Sequence, residues 1–136
     1  KLIAEFFDGL NWHHSIDKVI IPDDVDTLKQ HLTSAKKANY DIVITTGGTG
    51  IGPRDITPEV VKQVLDKEIP GIMEMIRLKY GAEKPNALLS RGVAGLMVKT
   101  FVYTLPGSVK AVLEYIAEIA KTQKHLFLML MGIDSH

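Results

Sequence analysis

The stretch Thr45-Thr46-Gly47-Gly48-Thr49-Gly50-Ile51-Gly52 constrains this chain more than any other, because of what stands on either side of it. Before it lies Asp41-Ile42-Val43-Ile44, a short apolar run of the kind found in strands covered on both faces. After it comes Thr57-Pro58-Glu59, which reads as a helix start with Thr57 as N-cap and Pro58 at the first position. Strand, Gly-rich turn and helix in immediate succession define an α/β unit. Glycines permit positive φ and a close backbone approach, so successive N–H groups can line a nest for an anion. The dipole of the following helix would add to it. The pattern is neither a Walker A loop nor G-x-G-x-x-G. A tight connection alone would also use glycines, but the run through Pro53-Arg54-Asp55 exceeds what a turn needs.

The remaining chain alternates in the same way. Residues 1–10 carry apolar side chains at helical spacing. Residues 15–21 are β-branched and stop at Pro22, which predicts a strand. Asp23-Asp24 open a helix to about Asn39, with Lys36-Lys37 in its last turn as the helix dipole favours. Helices are expected over 57–69 and 72–80, the latter stopping at Gly81, followed by a loop over 82–91. Strands are expected over 92–98 and 100–105. Ser108 then caps a helix to about Lys121, and a separate short helix covers 125–131. The class is therefore α/β, a three-layer α/β/α arrangement with a mainly parallel sheet. Right-handed crossovers would bring residues 22–24, 46–55 and 106–108 to one edge, beyond the carboxyl ends of the strands where ligands bind.

Composition narrows the function classes. The 136 residues suit one domain, 1–136, with a proper core. Sixteen basic side chains balance sixteen acidic ones, so there is no global charge to attract nucleic acid or an anionic membrane. Any anion must be held by local devices. The absence of cysteine removes disulfides, thiolate metal sites and Cys nucleophiles, and is compatible with the cytoplasm. Residues 126–131 are too short an apolar run to span a bilayer, and no signal peptide is visible. The histidines form no ligand pattern, and the methionines read as core or interface filling.

Asp55 lies between the Gly-rich turn and the Thr57 helix start, where it is either a helix-dipole acid or a Mg2+ ligand. Asp23 and Asp24 pose the same alternative at the end of the 15–21 segment. Carboxylates from two loops would make a sensible metal clamp among phosphates. Ser108 is an N-cap whose hydroxyl could also meet an anion. Lys110, in the first turn of that helix, opposes the dipole and hints at a negative neighbour. Ser90-Arg91 is weakly suggestive.

With residues 45–59, then Ser90-Arg91, then Leu105-Pro106-Gly107-Ser108-Val109-Lys110, the sequence resembles the MogA/MoaB family of molybdenum-cofactor biosynthesis and the G domains of gephyrin and plant Cnx proteins. The resemblance runs from about Ile20 onward. It implies a homotrimeric α/β protein and a molybdopterin adenylyltransferase, which joins molybdopterin to AMP from Mg·ATP and releases pyrophosphate. Carried over to this chain, Asp23 and Asp55 match the catalytic aspartates and would hold Mg2+. Thr46, Gly47, Gly48, Thr49, Gly50, Ser90, Pro106, Gly107 and Ser108 match segments that line the pterin and nucleotide pocket, and Arg91 and Lys110 stand beside them. A molybdenum insertase would receive the product. Family members begin with a strand and a Ser-Asp loop that are missing before Lys1, so the chain is expected to be N-terminally incomplete. Two other readings stay open: a non-catalytic trimeric scaffold that binds molybdopterin, and a CinA-like nucleotide-processing domain, whose Gly-Gly-Leu-Gly-Pro-Thr loop differs from the one here.

Overall fold

The computed structural model describes residues 2–10, 12 and 14–133. Helices are α1 (Leu2–Gly9), α2 (Val25–Lys37), α3 (Thr57–Val64), α4 (Pro70–Gly81) and α5 (Val109–Leu130). Strands are β1 (Ile42–Thr46), β2 (Lys67–Glu68), β3 (Ala94–Met97) and β4 (Thr100–Leu105), and a 3-10 turn covers Pro85–Leu89. The sheet order is β1-β4-β3-β2. β1 and β4 run parallel with Thr46 opposite Leu105, whereas β3 is antiparallel to both β4 and β2.

Alternation along β4 builds two cores, one on each face of the sheet. Phe101, Tyr103 and Leu105 pack with Met73 and Ile76 of α4 and Val112, Tyr115, Ile116 and Ile119 of α5. Val102, together with Val93 and Met97, packs with Leu28 and Leu32 of α2 and Val60 and Val61 of α3. Every residue of β4 is buried, which fits a central strand lined with β-branched and aromatic side chains. The three-layer α/β expectation therefore stands, with a sheet that is mixed because only the β1–β4 pairing is parallel.

Several sequence boundaries change. Residues 15–21 form no strand: Val19 and Ile20 are 61% and 87% exposed, and no ladder partner lies beside them among the described residues. β-branched residues favour a pleated surface but cannot supply the neighbour that creates one. Thr57 lies inside α3, whose N-cap is Ile56 without a side-chain hydrogen bond. That helix ends at Val64, and Lys67–Glu68 pairs with β3 instead of extending it. The expected break between residues 121 and 125 is absent. α5 continues to Leu130 because Leu126, Phe127 and Leu130 lie against the core beside Phe101. No helix among the described residues is long and apolar enough to cross a membrane.

Candidate anion-binding site

The turn after β1 is shaped by two consecutive glycines at φ 91° and 72°, Gly47 and Gly48. Such values favour glycine because a Cβ would crowd the backbone. Gly47 N–H continues the sheet ladder to Leu105 C=O at 2.8 Å, and a Cβ on Gly107 would lie 3.5 Å from Gly47 Cα. The parallel strands thus deliver the Gly-rich turn and the Pro106-Gly107-Ser108 segment to one place. β3 runs antiparallel to β4, so its start brings Ser90 and Arg91 to the same edge. Thr104 secures that crossing: its Oγ1 accepts from Val93 N–H at 2.6 Å and donates to Val93 C=O at 3.0 Å.

The donors left open matter most. Among the described residues, the N–H groups of Gly48, Thr49, Gly50 and Ile51 make no hydrogen bond. They form a row of consecutive unpaired donors beside the start of α5, where Ser108 Oγ accepts from Ala111 N–H at 3.2 Å and caps the helix. The start of α3 is less open than its sequence suggested, because Thr57 N–H donates to Gly48 C=O at 3.2 Å.

Asp55 folds back over the loop. Its Oδ2 accepts from Gly52 N–H at 2.8 Å, and a Cβ on Gly50 would come within 2.8 Å of the same oxygen. The other carboxylate oxygen is the one available to a cation. The aspartate pair before α2 divides its work. Asp24 caps the helix, accepting from Thr27 N–H at 2.9 Å and Thr27 Oγ1 at 2.7 Å, and these bonds hold its carboxyl below the usual range. Asp23 makes no hydrogen bond or ion pair among the described residues and is exposed. α2 leads into β1 and packs beside α3 through Leu28, Leu32, Val60 and Val61, so its N-terminus faces the edge where β1 ends. No contact joins Asp23 to Asp55, and no cluster of three or more metal-ligating side chains occurs among the described residues. Two hard carboxylates from separate loops still suit Mg2+, which takes one or two carboxylates and completes its shell with phosphate oxygens and water.

Arg91 reaches back to the Gly-rich loop and α3. Three of its N–H groups donate within the protein, to Gly50 C=O at 2.7 Å, Asp55 C=O at 2.9 Å and Glu59 Oε2 at 2.7 Å, with the side chain still 39% exposed. Its backbone N–H reaches Thr49 C=O at 2.8 Å, and Ser90 Oγ donates to Thr49 Oγ1 at 3.2 Å. The Arg91 hydrogen bond holds Glu59 below the ordinary carboxylate range. Arg77 of α4 fixes the same loop from behind through Ser90 C=O and Gly92 C=O. Sequence reasoning found neither Glu59 nor Arg77, since both act across long sequence separations that no local pattern records. Lys110 is exposed, with Lys84 beside it lowering its pKa; Lys84 in turn pairs with Glu114 at 3.5 Å. A cavity of about 390 Å³, lined by residues that include Lys62, Glu74, Arg77, Ser90 and Arg91, lies behind this loop and contains neither aspartate nor any glycine of the turn.

A three-layer α/β protein with an open backbone nest at the carboxyl end of parallel strands is of the class that binds phosphorylated ligands. The chain belongs to the family described as "Probable molybdopterin binding domain", whose profile matches residues 1–125. It is 33% identical to a molybdopterin adenylyltransferase of Helicobacter pylori over 134 residues, 97% of this chain and 74% of that protein. It is 39% identical over 107 residues to gephyrin of Dictyostelium discoideum, of which it spans 15%, against 78% of its own length. The Mog protein of Mycobacterium ulcerans superposes with a TM-score of 0.86 at 34% identity, covering 95% of this chain and 84% of that one. The tungsten cofactor synthesizing protein MoaB of Pyrococcus furiosus superposes at 0.84 with 34% identity, covering 95% and 82%. A CinA protein of Thermoplasma acidophilum, 19% identical, shares the fold alone.

Proposed function

We propose that this chain is a molybdopterin adenylyltransferase of molybdenum-cofactor biosynthesis, transferring AMP from Mg·ATP to the terminal phosphate of molybdopterin and releasing pyrophosphate. The observation that carries the reading is the row of N–H groups on residues 48–51 that have no partner among the described residues, directly after Gly47, which meets Gly107, and next to Asp55. The 33% identity to a protein named for this activity supports it.

A molybdopterin phosphate oxygen attacks the α-phosphorus of ATP, a P–O bond forms there, and the bond to the β-phosphate oxygen breaks as pyrophosphate leaves. Both partners are polyanions, so positioning and charge neutralisation supply most of the rate. The attacking phosphate is ionised at neutral pH, and no strong general base is required. The Gly48–Ile51 amides hold phosphate oxygens with fixed dipoles that need no reorganisation during reaction. Thr46, Pro106, Gly107 and Ser108 complete the wall, and Ser90 and Lys110 border it. Asp55 and Asp23 are the residues that would hold Mg2+, whose charge would offset that of the phosphates. Such a reaction belongs where ATP is abundant, in the cytoplasm. The exposed apolar side chains Met75, Leu78, Leu88 and Leu89 support assembly into a homotrimer, and a molybdenum insertase would accept the product.

The test is pyrophosphate release from Mg·ATP and molybdopterin. Tight pterin binding without release would refute the enzyme and favour the scaffold. Asp55→Asn is expected to keep the fold and pterin binding while lowering turnover by about 10²-fold or more; normal turnover in that variant would remove Asp55 from the metal site.

A further inference from the structure

An arginine beside a phosphate nest invites the role of phosphate ligand, and the geometry of Arg91 points elsewhere. Guanidinium carries five N–H donors in a rigid plane, and here three of them, one on each nitrogen, meet the protein's own acceptors while the side chain stays 39% exposed. Nε reaches Gly50 C=O at 2.7 Å, Nη2 reaches Asp55 C=O at 2.9 Å, and Nη1 reaches Glu59 Oε2 at 2.7 Å. Gly50 and Asp55 are the two ends of one loop, so a single side chain fixes the span between them. Glu59, in the first turn of α3, ties that side chain to the helix. Within the span, Gly52 N–H holds Asp55 Oδ2 at 2.8 Å, so the loop backbone decides where the carboxylate lies.

We propose that Arg91, braced by Glu59, is a positioning residue that sets the 50–55 loop and through it the Asp55 carboxylate, rather than a ligand of substrate phosphate. The clamp acts through Asp55, so its effect on turnover rests on the adenylyltransferase reading. Displacing a reacting group by about 1 Å can cost about 10²-fold in rate without loss of binding. The clamp therefore predicts a fall in kcat with little change in pterin affinity. A phosphate ligand predicts a weakened affinity instead.

The experiment compares Arg91→Gln, Arg91→Lys, Glu59→Gln and the Arg91→Gln/Glu59→Gln double variant. Each is measured for amide hydrogen exchange over residues 50–56, molybdopterin dissociation constant, and kcat with Mg·ATP. Arg91→Gln is expected to speed exchange at Gly52 by about tenfold or more, as local opening replaces the clamp. In the same variant kcat falls by about 10²-fold, and the pterin constant moves by less than about twofold. Glu59→Gln changes exchange and kcat in the same direction by less, and the double variant is no worse than Arg91→Gln alone. Lysine at position 91 does not rescue, because one ammonium cannot reach acceptors spread around a plane. A pterin constant weakened about tenfold with unchanged exchange would overturn the clamp and restore the phosphate-ligand role. Additive losses in the double variant would likewise separate Glu59 from Arg91. Should the parent protein release no pyrophosphate, the adenylyltransferase reading fails by itself, and the exchange and binding measurements still decide the clamp. Should Arg91→Gln not fold, Glu59→Gln and Arg91→Lys carry the same comparison.

Discussion

Gly47 and Gly48 are neighbours with similar backbone angles, yet a methyl group should be tolerated very differently at the two positions. At Gly47 an added Cβ meets nothing within 4 Å, so Gly47→Ala carries only the conformational cost of φ 91°. That cost is about 1–2 kcal/mol. At Gly48 the same conformational cost applies, and the new Cβ lies 2.4 Å from Thr57 Oγ1. Thr57 is 7% exposed and lies in the first turn of α3, so it cannot swing into solvent without leaving its packing. Forcing an extra carbon into such a contact costs typically about 1–3 kcal/mol. Stretching the 3.2 Å bond from Thr57 N–H to Gly48 C=O would add up to about 1 kcal/mol. Gly48→Ala should therefore cost about 2–6 kcal/mol and exceed Gly47→Ala by about 1–4 kcal/mol. The decisive comparison is made in a Thr57→Ala background, where the oxygen is gone and the nearest remaining contact, at 3.3 Å, is Cβ. There Gly48→Ala should fall to about the cost of Gly47→Ala, a coupling of about 1–4 kcal/mol. Urea unfolding followed by circular dichroism measures all the variants. Equal costs at the two glycines, or additivity with Thr57→Ala, would refute the steric account of this turn.

Other expectations follow from buried polar groups. Glu118, almost fully buried on α5, accepts from Lys79 and from Lys121 at 2.9 Å, and these bonds push its pKa down to about 2. Because the folded value lies below the ordinary glutamate value of 4.5, this contribution is complete above about pH 4.5 and is lost as pH falls towards 2. Both lysines are about half exposed, so the contribution is discounted to the order of 2 kcal/mol. Glu118→Gln should flatten that part of the stability–pH curve, and an unchanged slope would show that the pair is not the cause. Tyr103 OH donates to Gln123 Oε1 in the core, where Gln123 Nε2 has no partner among the described residues. Tyr103→Phe alone should cost about 1–3 kcal/mol by leaving the amide oxygen unpaired as well, and adding Gln123→Met should recover most of it in thermal unfolding. Sedimentation at micromolar concentration should give a trimer; a monomer would end that assignment.

The sequence by itself determined the local events whose causes lie within a few residues. An apolar run, four nearby glycines and a Thr-Pro-Glu start placed β1, the turn and the beginning of α3 to within a residue or so, because φ preference is a short-range effect, whereas the end of α3 fell five residues early. Ser108 as cap was legible for the same reason. It also marked Asp55 by position, although its hold on Gly52 N–H depends on how the loop closes. What it could not settle was anything that needs a partner from elsewhere in the chain. Residues 15–21 have strand composition and no strand, since a ladder requires a neighbour. α5 runs through an apparent break because the core it covers continues beyond it. The direction of β3, which delivers Ser90 and Arg91 to the site, is a property of the assembled sheet. Arg91 shows the division most clearly. In the sequence Ser90-Arg91 was only weakly suggestive, and the acceptors at residues 50, 55 and 59 that its side chain meets are visible only in the fold. Hydrogen-bond partners are allotted in space, and only the tertiary structure brings those residues within reach of position 91.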